Sequence, residues 1–318
     1  MTIPAECSRG KILMNRKLFY NYPWVTLTDA QYYSTVREFL DNGCCDFVID
    51  SRLLKELIAS DEKVAFLKKL CRDMEVSFGE VHGLDGKGYD INTREPELRA
   101  KMFPDHIKAM RTAAEFGCRT YTVHVGAAQY CHEHIPMDVL RPLALDTLEK
   151  LLPEAEKCGI IIAVENSFEL PNSAKEVMGL IGHFGGHPNI GACYDTGHAN
   201  CMASAPGKTP DKYQPYFAVC WWENGVIQED NAIETMRSQI VTCHIHDNDG
   251  YGDLHGMPFD GTINWQKLMP GLFNCPRMVD YQTEVCYSSG ENWAGKLLAP
   301  AGGYSIRKIT DTFKKLFS

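Results

Sequence analysis

Eight times along this chain a short run rich in β-branched and aromatic residues gives way to a longer stretch with apolar residues at helical spacing. The β-rich runs are Lys17 to Asn21, CDFVIDS (45–51), VSFGEVHG (76–83), TYTVHVG (120–126), GIIIAVENS (159–167), NIGACYDTGH (189–198), VTCHIHDND (241–249) and MVDYQTEV (278–285). Helical periodicity fills about 27–42, 61–74, 97–117, 139–158, 173–185, 230–240, 264–273 and 304–317. Gly43 and Gly159 stand where a helix needs a left-handed stop, and Pro104 predicts a kink or a late start in its helix. Regular alternation implies a parallel sheet, and a run such as GIIIAV reads as buried on both faces. Eight units in 318 residues predict one α/β domain over residues 1–318, a single (β/α)₈ TIM barrel. A doubly wound open sheet is the alternative, weakened because no G-x-G-x-x-G follows the early strands. One segment, about 199–229, exceeds a minimal barrel. It carries Tyr213, Tyr216, Phe217, Trp221 and Trp222 and reads as an aromatic-rich cap, as a subunit contact or as packing against a helix.

Composition narrows the function classes. A formal net charge of −9 disfavours nucleic acid, whose binding depends on neutralising phosphates with Lys and Arg. No apolar run approaches the ~20 residues that span a bilayer, so no membrane partner is expected. The N-terminal stretch lacks the apolar core of a signal peptide. Thirteen cysteines are scattered without a CxxC pair, which suits reduced, mostly buried thiols in a cytoplasmic protein.

In a (β/α)₈ barrel the chemistry sits at the C-terminal ends of the strands. Polar residues recur there: His82 after the third strand, His124 after the fourth and Glu165 after the fifth. Asp195 and His198 close the sixth, His244, His246 and Asp247 close the seventh, Asp253 and His255 lie in its loop, and Glu284 closes the eighth. A single strand histidine is ordinarily a hydrogen-bonded rim residue, and HIHDND alone would pass as an Asx-rich turn. A glutamate after IIIAV is harder to set aside, because a carboxylate at the end of a buried strand is costly unless paired or bound to a metal. Carboxylates with imidazoles suit Mn²⁺, Co²⁺ or Zn²⁺. His106, His183 and His187 are expected at the surface. His132 and His134 are secondary candidates for substrate contact. The GLDGKG loop (83–88) is a flexible turn that could reach a phosphate through Lys87.

The segments VHVG, VENS, YDTGH, HIHDNDG followed by DLH, then GTINW and TEV, resemble the xylose-isomerase-like barrel superfamily. That superfamily holds sugar epimerases, sugar-phosphate isomerases and the endonuclease IV group. Resemblance to the epimerase branch implies one metal on Glu165, Asp195, His244 and Glu284. His244 is preferred over His246 because it stands in an H-x-x-D relation to Asp247. Resemblance to endonuclease IV implies three zinc ions, with His82, His124, His198, Asp253 and His255 as further ligands. In the epimerase reading, His82, His124, His198, His246, Asp253 and His255 contact substrate instead.

The expected activity is therefore a divalent-metal-dependent sugar isomerase or epimerase. Manganese is the foremost ion, with Co²⁺, Mg²⁺ and Zn²⁺ as alternatives. Glu165 and Glu284 would move a proton beside a polarised carbonyl through an enediolate. Alternatives are a lyase, either a C-deglycosylase or a dehydratase of a keto-sugar, and a trinuclear zinc phosphodiesterase. Partners would be a small sugar-like substrate and, by resemblance, a second copy of the chain or a small partner subunit.

Overall fold

The computed structural model describes residues 16–126, 130, 133–213, 228–287 and 303–318. Eight strands run parallel: β1 (Lys17–Tyr20), β2 (Asp46–Ile49), β3 (Ser77–Val81), β4 (Thr120–Val123), β5 (Ile161–Glu165), β6 (Ile190–Asp195), β7 (Ile240–Ile245) and β8 (Asp280–Thr283). Their order is β3-β2-β1-β8-β7-β6-β5-β4. A parallel bridge between His82 and Thr122 joins the two remaining edges. There the Gly83 N–H donates to the Thr122 carbonyl at 2.9 Å. The sheet thereby closes into the expected (β/α)₈ TIM barrel.

The helices are α1 (Asp29–Asp41), α2 (Ser51–Ala59), α3 (Asp61–Met74), α4 (Pro96–Glu115), α5 (Met137–Cys158), α6 (Ala174–His183), α7 (Thr196–Met202), α8 (Ala232–Met236), α9 (Trp265–Phe273) and α10 (Ile306–Leu316). Gly159 ends α5 at φ +67°, as its position implies. Two helices were not anticipated. Asp50 caps α2 by accepting the Leu53 N–H at 2.7 Å, and Ser60 closes α2 and caps α3. The α7 helix begins inside the run read as the sixth strand, which stops at Asp195. Pro104 is no late start, since α4 begins at Pro96 and continues through it.

Side chains alternate across the wall. Tyr121, Val123, Ile162, Val164, Ala192, Tyr194, Cys243, Ile245 and Tyr281 join the apolar layer shared with the helices. Their neighbours include Thr120, Thr122, Thr242, Asp280 and Gln282, all buried but outside that layer. The barrel interior is thus partly polar. Glu80 meets the Gln282 amide, and Asp280 accepts from the Thr120 hydroxyl at 3.4 Å. Among the described residues no helix is long and apolar enough to cross a membrane.

His106, expected at the surface, is fully buried on α4. Its Nε2–H donates to the Tyr89 carbonyl at 2.9 Å, so its Nδ1 accepts from the Tyr121 hydroxyl at 2.8 Å. Tyr121 in turn accepts the Leu84 N–H at 3.1 Å. The chain of bonds ties the β3–α4 loop at both sides and requires a neutral imidazole. Burial pushes the His106 pKa down to about 4. The unfolded chain therefore takes up this proton first as pH falls. His106 contributes stability that is complete above about pH 6.5 and lost progressively toward pH 4. Between pH 7 and 4.5, His106→Gln should lose roughly 2 kcal/mol less than wild type in urea unfolding. Equal losses would refute the assignment.

Candidate functional site

The local sequence explains how the rim residues meet. β6 ends at Asp195, whose carboxylate caps α7 by accepting the His198 N–H at 2.6 Å. The three-residue spacing in DTGH therefore places both side chains on one rim. Asn166 extends the β5–β6 pairing with its side chain, which accepts from the Asp195 N–H at 2.9 Å and donates to its carbonyl at 3.2 Å. Glu165 is the last residue of β5, His244 lies in β7, and Glu284 follows β8.

These elements bring Glu165, Asp195, His244 and Glu284 together, with one donor atom from each within 4.8 Å of the others. His244 Nδ1 lies 3.1 Å from Glu165 Oε1, 3.2 Å from Glu284 Oε2 and 3.9 Å from Asp195 Oδ2. Two flanking groups adjoin this centre. On one side, His124 Nε2 and His82 Nε2 stand 3.1 and 3.6 Å from Glu165 Oε2. On the other, Asp253 Oδ2 lies 3.0 Å from His255 Nε2 and 3.5 Å from His198 Nε2.

Backbone carbonyls aim three of the imidazoles. His82 Nδ1 donates to Gly83 O at 3.0 Å, His198 Nδ1 to Asn166 O at 2.9 Å and His255 Nδ1 to Glu284 O at 2.7 Å. Each leaves Nε2 facing a carboxylate, the usual way in which a protein orients imidazole ligands. Burial opposes charge throughout, yet opposite charges prevail. Against burial, His244 and His124 hold Glu165 well below the usual carboxylate range. Asp253 is likewise held low by His255 and His198. Glu165 lifts His124 to about 10, and Asp253 does the same for His255. The donor set fits a divalent ion. Oxygens and imidazoles converge, and among the described residues the buried Asp253 Oδ1 has no hydrogen-bond partner.

A cavity of about 480 Å³ opens over this floor. His82, His124, Glu165, His198, Asp253, His255 and Glu284 line it. His246 does not reach its wall. It is fully buried behind Asp195, with Nε2 at 3.0 and 3.1 Å from the two carboxylate oxygens. Asp247 is structural: its carboxylate accepts the N–H of Asn248, Phe259 and Ile263 and the Trp265 indole. His134 is exposed at φ +51°, His183 is exposed, and His187 is half-buried. Tyr213 is buried, donating to the Cys201 carbonyl at 2.9 Å. His132, Tyr216, Phe217, Trp221 and Trp222 lie outside the described residues.

Sequence reasoning missed the acidic side of the cavity. Asp50, Asp85, Asp90 and Glu169 line it, whereas Lys87 is exposed and does not. Burial pushes Asp90 up to about 6. Against its own burial, Asp85 is held low by His82, His124 and Lys55. Glu80 and Asp280, deeper in the barrel, were also missed. Burial raises both, Asp280 to about 6. The alternation of FGEVH and VDYQTE, with polar side chains at alternate positions (Glu80 and His82; Asp280, Gln282 and Glu284), was the available signal.

Residues 48–277 match the sequence pattern described as "Xylose isomerase-like TIM barrel". An uncharacterized protein of Methanocaldococcus jannaschii is 25% identical over 189 residues, 57% of this chain and 55% of its own length. One of Sinorhizobium fredii is 28% identical over 83 residues, 26% of this chain and 19% of its own length. Solved structures of like fold include the 3-keto-D-glucoside 4-epimerase of E. coli, 17% identical at a TM-score of 0.64, covering 95% of this chain and 98% of that one. The D-psicose 3-epimerase of Clostridium cellulolyticum H10 is 12% identical at 0.64, with the same coverage. The IolI protein, solved with a zinc atom, is 16% identical at 0.63, covering 94% of this chain and 96% of that one.

Asp247 holds the loop that delivers Asp253 and His255. Asp247→Ala would leave three backbone N–H groups and an indole N–H without their acceptor, so it should cost about 3 kcal/mol. Denaturant unfolding measures this, and a loss below about 1 kcal/mol would contradict the assigned role.

Proposed function

Because this chain belongs to the xylose isomerase-like TIM barrel family, we propose that it is a divalent-metal-dependent isomerase or epimerase of a sugar or sugar-like ketone. One observation carries the reading: Glu165, Asp195, His244 and Glu284, from four successive strand ends, converge at the floor of a cavity of sugar-accommodating size. These four would hold the ion, with Mn²⁺ foremost and Co²⁺, Mg²⁺ and Zn²⁺ as alternatives. When bound, the ion supplies polarisation of a substrate carbonyl, which acidifies the neighbouring C–H. Fold likeness to sugar epimerases supports the same reading.

Glu165 and Glu284 both line the cavity. One takes the proton from the carbon beside the carbonyl. The other, entering the step protonated, delivers a proton of its own, to the opposite face for epimerisation or to the neighbouring carbon for isomerisation, and the two carboxyl groups end with their protonation exchanged. Glu284 is the more accessible, with its side chain 15% exposed against 1% for Glu165. His82, His124, His198, Asp253 and His255 orient substrate hydroxyls. A keto-sugar lyase shares the first step and differs in what leaves the carbanion.

A trinuclear zinc phosphodiesterase is the second reading, favoured by the two flanking groups around Glu165 and Asp253. Asp50, Asp85, Asp90 and Glu169 on the cavity wall oppose it, since they repel a phosphodiester. Arg52 is the only Lys or Arg that lines the cavity among the described residues.

Elemental mass spectrometry on protein purified without chelator separates the readings. About one divalent ion per chain is expected for the four-donor site, and close to three zinc ions would favour the phosphodiesterase. Glu284→Gln should fold normally and lose ~10²–10⁴-fold in kcat for substrate-proton exchange in deuterated water. Full activity in that variant would remove Glu284 from the chemistry.

A further inference from the structure

His246 belongs to none of the backbone-anchored imidazoles that face the cavity, and its surroundings give it a separate task. Its side chain is fully buried. Nε2 lies between the two Asp195 oxygens, at 3.1 Å from Oδ1 and 3.0 Å from Oδ2. A carboxylate only accepts, so Nε2 carries the hydrogen. The bare Nδ1 then has no hydrogen-bond partner among the described residues. One face of the ring stacks on His255, with centroids 4.2 Å apart and planes at 10°. Gly197 makes the room: a Cβ there would stand 2.0 Å from His246 Cε1. Its backbone is pinned by Thr196, whose hydroxyl donates to the His246 carbonyl at 2.8 Å and accepts its N–H at 3.1 Å.

We propose that His246 is a positioning residue that orients the Asp195 carboxylate for metal binding and supports the ring of His255 in the flanking group. The inference rests on the metal-dependent reading above. Asp195 is otherwise committed to capping α7 through Oδ1. The imidazole N–H fixes the carboxylate plane and leaves it one direction in which to bind an ion. Outer partners of this kind change metal affinity roughly 10- to 100-fold when removed.

Mn²⁺ titration calorimetry on chelator-treated full-length protein tests this. His246→Phe keeps an aromatic ring for the stack and removes the N–H. His246→Gln keeps an N–H donor and removes the ring. The Phe variant should bind Mn²⁺ roughly 10- to 100-fold more weakly than wild type, and the Gln variant should recover most of that loss. Wild-type affinity in the Phe variant overturns the proposal. Equal weakening in both variants overturns the hydrogen bond as the cause. If the Phe variant fails to fold, His246→Asn, too short to reach Asp195, takes its place with the same expectations. Wild-type protein that binds no divalent ion would instead sink the metal-dependent reading, and the role of His246 with it.

Discussion

Glu165, Asp195 and Glu284 bring three carboxylates around one imidazole, with Glu165, Asp195 and His244 buried and Glu284 nearly so. Ionised groups there are expensive unless opposite charge and hydrogen bonds offset the lost hydration. Most of the surrounding architecture answers that demand. His124 and His82 face Glu165, and His198 and His255 face Asp253. Those imidazoles are useful only if correctly turned, so Gly83 O, Asn166 O and Glu284 O fix three of them. The loop that brings Asp253 and His255 is in turn organised by Asp247.

Barrel geometry makes this convergence inexpensive. Parallel neighbours lie about 4.8 Å apart, and inward side chains recur at every second residue. Inward positions at the ends of adjacent strands therefore fall within ligand distance of one another without distortion. Asp195 pairs directly with His244 in register, and His244 with Gln282, two residues before Glu284. Four consecutive strands supply one centre; His124 and His82, after β4 and β3, extend it on one side, and α7 with the β7–α9 loop extends it on the other.

The repeat of β and helical periodicity made the barrel legible, as did the recurrence of His, Asp and Glu at strand ends. Less legible was whatever depends on contacts between distant segments. His106 looks like any polar helix residue until Tyr121 and the Tyr89 carbonyl meet it. Its i−4 and i+3 neighbours, Met102 and Ala109, are buried with it, which is the one local hint. The boundary between β6 and α7 was hidden because YDTGH is both a strand end and a capped helix start. His246 reads as a rim residue by alternation with His244, yet the chain has passed the end of β7 and turns it behind Asp195. Glu80 and Asp280 break the expectation of an apolar interior. Each meets an amide or hydroxyl from across the barrel that no local pattern announces.

The charge of the cavity is uneven in a way that bears on selectivity. The floor balances carboxylates with imidazoles, whereas Asp85 and Asp90 add negative charge from the β3–α4 loop. That loop is held from behind, where Tyr121 takes the Leu84 N–H and His106 takes the Tyr89 carbonyl. Asp90 also accepts the Gly86 N–H at 2.9 Å, which closes the loop on itself. The wall is therefore built by a hydrogen-bond network that shares no residue with the four central donors. Two barrels with the same floor can present different walls, since changing a loop tether leaves Glu165, Asp195, His244 and Glu284 in place. Under the sugar-directed reading, the floor sets the reaction class. The acidic wall selects among substrates by disfavouring a phosphate or carboxylate at that end, and rewards hydroxyl groups that donate to Asp85 and Asp90.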